Sequence, residues 1–481
     1  YTTLMEICDK VSTLKIRANA DTPRDARKAI EFGAQGIGLF RTEHMFYGEG
    51  SDEPLFLLRK MIMSTTLEER KAALDQLSVF VKRDIKATME ALNGLPLTIR
   101  LLDPPLHEFV PHSEDKIATL AAELGINVED AKKRGESLKE NNPMLGHRGV
   151  RLGITYPEVS EMQLRSILEA AGELILEGKE AFPEIMIPVT VSANELKNQR
   201  KLLDAVYADV CTRLGLKKIP FTFGSMIEIP RAAFGADKMA EVAEFFSFGT
   251  NDLTQMFFGF SRDDIGSFLP DYLAAKILPA DPFQTIDQEV LGELMKMSIE
   301  RGRETRPGLK VGICGEHGGD PESVKFCHRI GMNYVSCSPF RVPIARLAAA
   351  QAAVEEKSLV RKPSVKKAKK TASVLPAVRK AAKTAPAKAK STSTGKAPSK
   401  KVKKAAAPVK ASAKKVKKAA APVKASAKKT KRSAAPVKTL AKKVKKGAVP
   451  VKKANKAIAP AKKKVAPAAK KATKKVAKKR K

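Results

Sequence analysis

Tryptophan is absent from these 481 residues, and aromatics of every kind make up only 5%. The scarcity is uneven: no Phe, Tyr or Trp follows Phe340, and no Asp or Glu follows Glu356. A stretch without either cannot bury enough apolar surface to offset its ordering entropy, so 357–481 is expected to be disordered. Cysteine is sparse as well. Cys8, Cys211, Cys314, Cys327 and Cys337 form no CxxC pair and no framework spacing, which excludes a disulfide scaffold and reads as a reduced, intracellular chain. No apolar run approaches the roughly 20 residues that cross a bilayer, so no membrane partner is expected, and no secretory signal opens the chain. Position 1 is Tyr, not Met, directly before a helix-like stretch; the chain reads as cut from, or continued from, something longer.

What is present divides into two polymers. The formal charge is +37, from 89 Lys and Arg against 52 Asp and Glu. Of those cations, 46 lie in 357–481, leaving 43 against all 52 acids, a charge of −9, for the part before it. The basic character therefore belongs to the tail alone. There "APVKASAKKVKK" recurs, with Pro408, Pro422, Pro436 and Pro450 evenly spaced, and such prolines interrupt helices.

The first 352 residues alternate short apolar runs with longer amphipathic ones. Strands are expected at 14–20, 36–42, 97–103, 184–190, 221–229, 245–252, 309–316 and 333–339, each nearly continuously apolar, as strands buried on both faces are. Helical patterns fall between them at 23–34, 67–92, 161–178 and 193–215. Strand–helix alternation implies parallel pairing. Eight strands predict an α/β fold, a closed (β/α)8 TIM barrel over 1–352, with an open doubly wound sheet as the alternative. The stretch from about 104 to 160 reads as an excursion packed beside the barrel.

In such a barrel the C-terminal ends of the strands converge on one mouth, where chemistry gathers. Those ends carry Arg41, Arg100, Glu228, Asn251, Asp252 and Cys314. Two guanidiniums can hold a phosphate by paired hydrogen bonds. Two carboxylates and an amide are hard oxygen ligands for Mg²⁺, which also takes substrate oxygens. A thiol beside them can give or take a proton. Singly, each has a plainer reading: an Arg in a surface ion pair, "GTNDLTQ" as a helix cap, Cys314 as an inert buried thiol. Glu228, inside the apolar "MIEIP", requires a partner, either a metal or an Arg. Six such residues on five strands point to a small molecule bearing both a phosphate and a carboxylate.

The stretches "LKIRANADTP", "GIGLFRTEHMF", "RLLDPPLHEF", "MLGHRGVRLGITYPE", "GSMIEIPRAA", "FFSFGTNDLTQ", "GICGEHGGDP" and "YVSCSPFRVPIARLAAAQA" resemble the C-terminal phosphoenolpyruvate-binding barrel of the pyruvate, phosphate dikinase family. The resemblance covers about residues 1–352. It implies that Arg41 and Arg100 hold the phosphate and that Glu228 and Asp252 bind Mg²⁺. It further implies that Gly249, Thr250 and Asn251 line the substrate and that Cys314 protonates the pyruvate enolate. His317 is the alternative acid, or a residue that tunes the thiol. The implied activity is the phosphoenolpyruvate/pyruvate half of a Mg²⁺-dependent phosphotransferase reaction, in a homodimer formed through the barrel.

The family also uses a nucleotide-binding domain and a swivelling domain with a phosphorylated histidine. None of His44, His107, His112, His147, His317 and His328 sits in the Gly/Thr-rich Ser/Cys-His-Ala-Ala setting of that carrier, and no glycine-rich nucleotide loop is present. A phosphohistidine domain is therefore expected from outside these residues. The tail resembles the Lys/Ala/Pro-rich arm of linker histones, and dense Lys binds nucleic acid without sequence preference. The alternative function is accordingly a nucleic-acid binder with an inactive barrel. A cytoplasmic location is expected, with a peroxisome-like organelle or the nucleus as alternatives; the chain ends "KRK", which is not a peroxisomal tripeptide.

Overall fold

A computed structural model of the chain describes residues 1–48 and 50–361. Eight parallel strands close into a barrel in sequence order: β1 (Lys15–Asn19), β2 (Ile37–Arg41), β3 (Pro96–Arg100), β4 (Phe182–Ile187), β5 (Thr222–Ile227), β6 (Phe245–Phe248), β7 (Lys310–Ile313) and β8 (Tyr334–Cys337). β8 returns to β1 through Ile16–Val335 and its neighbours, so the doubly wound alternative is excluded. Every expected strand is present. Each ends short of its expected C-terminal limit, because the last residues of the apolar runs turn out of the sheet into the mouth.

The continuous apolar runs are there because both strand faces are covered. Ile185, Phe246, Ile313 and Val335 are fully buried, packed with the helices around the barrel. Local chemistry sets where those helices begin. Helix Leu67–Leu92 opens on a capping box, with Thr66 accepting from Glu69 and the Glu69 side chain reaching back. Helix Ala193–Leu214 repeats it with Ser192 and Glu195 and stops at the left-handed Gly215. Each box satisfies N–H groups that the first turn leaves free.

The excursion after β3 holds helices Glu114–Leu124, Val128–Leu138 and Val150–Thr155. It ends slightly earlier than expected, since the next barrel helix starts at Pro157 and runs to Leu176. A second insertion, 259–290 between β6 and β7, has no counterpart in the sequence reading. It carries its own small core of Ile265, Leu269 and Phe283, with Phe260 and Phe268 packed edge-on at 5.1 Å. Such a short apolar set has no period by which to distinguish it from a loop.

The barrel's interior is not wholly apolar. Arg17 of β1 donates to Glu184 of β4 at 2.7 Å and to Thr98 of β3 at 3.1 Å, and Lys310 of β7 also pairs with Glu184. The Arg17 guanidinium lies 4.1 Å from the centre of the Tyr334 ring. At the end of the described residues, helix Val342–Arg361 runs past the expected boundary at 357. The expected disorder of the tail otherwise falls outside the described residues. Among those residues, no helix is long and apolar enough to cross a membrane.

Candidate active site

The strand ends do meet. Arg41, Arg100, Glu228, Gly249, Asn251, Asp252 and Cys314 line one cavity of about 230 Å³ at the C-terminal mouth. A larger cavity of about 450 Å³ lies against helices Glu114–Leu124 and Val128–Leu138 and contains none of them. Thr250 is the exception among the expected residues. It is fully buried, and its hydroxyl bonds Nδ1 of His317 at 2.9 Å instead of facing the cavity.

The cations are held by carboxylates that the sequence reading did not single out. Arg41 donates to Asp21 at 3.0 Å. Arg100 pairs with Glu43 and, at 2.8 Å, with Asp103. Asp103 also accepts from Arg148 at 2.5 and 3.1 Å, and Arg148 reaches Asp252 at 3.3 Å. Burial would push the Asp103 carboxyl up, but the Arg100 and Arg148 guanidiniums outweigh it and hold the carboxyl low. The same carboxylates hold the Arg100 and Arg148 charges firmly on against burial. Arg148 and Arg262 line the cavity from the two insertions, not from strand ends. A search confined to strand ends cannot find them; the only signal for Arg148 was its place in "MLGHRGVRLG".

Glu228 is 2% exposed. One of its oxygens accepts the Val189 N–H at 2.6 Å. Val189 has φ 57°, a left-handed conformation that is strained for a β-branched residue. The strained turn after β4 thus aims a backbone donor at Glu228. Gly249 is required beside it, because a Cβ there would lie 2.6 Å from the other Glu228 oxygen and 2.9 Å from the Met226 sulfur. Burial, with Asp252 and Asp103 nearby, pushes the Glu228 carboxyl up to about 8. Burial also raises Asp252, against the opposing pull of Arg148. A buried and a half-buried carboxylate that disfavour each other's charge suit a divalent cation, and Mg²⁺ commonly takes one or two protein carboxylates with substrate oxygens completing its shell. Among the described residues no cluster of three or more His, Cys, Asp or Glu is arranged as a self-sufficient metal site, so a cation here would need ligands from the substrate and water.

Cys314 is 3% exposed, among Leu39, Met186, Met226 and Phe245. Its S–H donates to the Phe248 carbonyl at 3.7 Å, and burial pushes the thiol up to about 11. The thiol is thus proton-loaded at neutral pH. His317 is fully buried behind the cavity wall. Its Nε2 lies 2.8 Å from the Pro282 carbonyl, so that nitrogen donates and Nδ1 accepts from Thr250. Burial holds its pKa down. A neutral imidazole with both nitrogens engaged braces the β7 loop against helix Thr250–Phe258, and it has no hydrogen bond to Cys314.

The family described as "PEP-utilising enzyme, PEP-binding domain" matches residues 1–354. Pyruvate, phosphate dikinase of Clostridium symbiosum is 55% identical over 355 residues, 74% of this chain and 40% of that protein. Pyruvate, phosphate dikinase 2 of Zea mays is 56% identical over 354 residues, 73% of this chain and 40% of that one. The chloroplastic pyruvate, phosphate dikinase 1 of Arabidopsis thaliana is 55% identical over 354 residues, 73% and 36% respectively. The chain thus spans about two fifths of the length of these curated relatives. With the family match covering well over half its length, the chain belongs to the PEP-utilising enzymes, as their PEP-binding domain.

Proposed function

We propose that the barrel binds phosphoenolpyruvate and pyruvate and carries the corresponding half-reaction of a pyruvate, phosphate dikinase. The phosphoryl group is exchanged with a phosphohistidine supplied from outside these residues. The observation that carries this reading is one cavity lined by Arg41, Arg100, Glu228, Asp252 and Cys314 together. The dikinase relatives support the direction of the chemistry.

In this reading Arg41 and Arg100 bind the phosphoryl oxygens, joined by Arg148 and Arg262. Their buried carboxylate partners keep Arg100 and Arg148 from reorganising, which is how preorganised charge favours a transition state. Glu228 and Asp252 hold the Mg²⁺, whose contribution when bound is Lewis-acid stabilisation of charge on the substrate's oxygens. The backbone of Gly249 and the Asn251 amide bound the space left for substrate, and Thr250 acts from behind through His317. Cleavage of the ester P–O bond leaves its electron pair on the enol oxygen. The Cys314 S–H proton then passes to the methylene carbon, and the thiolate regains a proton before the next cycle. The reverse reaction removes that proton from the methyl group on the same face. Pairing with the phosphohistidine carrier and association into a homodimer through the barrel belong to the same proposal.

Calorimetry with oxalate, a mimic of the enolate, tests it. Binding should require Mg²⁺ and should be lost in Glu228→Ala and in Asp252→Ala. Oxalate binding that persists in both variants would overturn the assignment.

A further inference from the structure

A second cavity at the same mouth, of about 500 Å³, shares Arg41 and Glu316 with the candidate active site. Its other walls come from Asn19 at the end of β1, from 283–285 of the second insertion, and from the loops after β7 and β8, through Asp320, Ser338 and Arg341. In (β/α)8 barrels generally this corner, where the last two loops meet a helix N-terminus, is a frequent phosphate position. Here the corner is built for close approach. A Cβ on Gly319 would lie 3.0 Å from the Arg341 stem, and one on Gly318 would lie 2.1 Å from the Ser336 carbonyl oxygen. These two glycines let the β7 loop lie directly on the end of β8 and leave the Arg341 stem its room.

The charges around the cavity are unevenly committed. Asp320 caps helix Pro321–Arg329, accepting the Ser323 N–H at 2.9 Å and its hydroxyl at 2.6 Å. Glu316 is paired with Arg262 at 3.3 Å. Arg41 spends one guanidinium nitrogen on Asp21. Arg341 is exposed and has no ion pair or side-chain hydrogen bond among the described residues. Helix Val342–Arg361 begins immediately after it. The acids are occupied, and one guanidinium and part of another remain.

We propose that this cavity is a second anion subsite, which takes a phosphoryl group on Arg341 and Arg41 beside the substrate position. Its ligand is either inorganic phosphate or the phosphoryl group of a phosphorylated imidazole. Its use in catalysis rests on the half-reaction proposed above, whereas the binding of an anion there does not.

The test uses the full chain, first alone and then saturated with Mg²⁺ and phosphoenolpyruvate, and titrates inorganic phosphate at constant ionic strength with ³¹P NMR as the readout. The basic tail is common to every variant, so its contribution cancels in the comparison. Arg341→Ala should weaken phosphate binding by about tenfold or more, the scale of a lost charge-assisted contact, and Arg341→Lys should restore part of it. Phosphoenolpyruvate affinity should change by less than about twofold, because Arg341 lies outside the first cavity. Phosphoimidazole is the second probe. Arg341-dependent binding tighter than that of phosphate identifies a phosphorylated histidine as the source, and equal or weaker binding identifies free phosphate. Phosphate binding unchanged in Arg341→Ala overturns the proposal. So does a parallel loss of phosphoenolpyruvate, which would make Arg341 part of the first site. Failure of the unaltered chain to bind phosphoenolpyruvate would instead sink the half-reaction and leave Arg341-dependent phosphate binding standing.

Discussion

At the scale of single residues, burial decides what the thiol and the imidazole can do. Cys314 and His317 are three positions apart in "CGEHGG", and either could have been the acid on residue type alone. The structure separates them: the thiol reaches the cavity, and the imidazole is tied between Thr250 and Pro282. A thiol pushed up to about 11 is in its proton-bearing form throughout the neutral range, the state a donor to the enolate needs. Replacing Cys314 with Ala should leave Mg²⁺-dependent oxalate binding nearly unchanged. It should abolish exchange of pyruvate methyl protons with solvent, followed by NMR with Mg²⁺ and phosphate present. Exchange at the original rate in the variant would move proton transfer to another group.

At the scale of elements, strands β1, β4 and β7 are pinned inside the barrel by charge, and β3 joins them through the Thr98 hydroxyl. Glu184 is 4% exposed. Burial opposes its ionisation, but Arg17 and Lys310 win and hold its carboxyl at about 2. A folded-state value below the unfolded one contributes stability above about pH 4.5, and that contribution drains away as pH falls toward 2. Glu184→Gln leaves the Arg17 charge buried without its carboxylate, so the variant should be less stable at pH 7 by roughly 3–5 kcal/mol. In urea unfolding at several pH values, its deficit against the unaltered chain should shrink below about pH 4.5. A deficit constant from pH 7 to pH 3 would mean that Glu184 is not ionised by these partners in the folded barrel.

At the scale of the whole molecule, the proposed half-reaction makes the barrel one part of a longer catalytic cycle, and the tail is a different polymer. The chain spans about two fifths of its dikinase relatives, and none of its six histidines has the sequence setting of a phosphate carrier. Purified residues 1–481 should therefore show no conversion of ATP, inorganic phosphate and pyruvate above blank in a coupled assay, and robust turnover would reveal a carrier among those histidines. The 46 cations in 357–481, without acids or aromatics, predict nucleic-acid binding that falls log-linearly with salt and ignores sequence. Because the last described helix continues through Arg361, the truncation that tests this belongs after 361. Gel shifts of the shortened chain should show no duplex binding, with phosphoenolpyruvate binding retained. Duplex binding by the shortened chain would place it on the barrel.

The sequence by itself determined the barrel and most of its mouth. A strand buried on both faces must be apolar along its length, so all eight runs were legible, and a charged residue ending such a run has few places to go except the mouth. Arg41, Arg100, Glu228, Asp252 and Cys314 were found on that ground. Only the tertiary structure decided the rest. Asp103, Glu43 and Arg148 act through pairs that join β2, β3 and the first insertion, and long-range pairing of opposite charges leaves no local period. The insertion carrying Arg262 folds on three buried side chains, too few to mark an element. Thr250 turned away from the cavity because a helix begins there and its hydroxyl meets a buried imidazole. Arg341 carries no signal in "SPFRVP"; what distinguishes it is the shape of the corner where the loops after β7 and β8 close against each other.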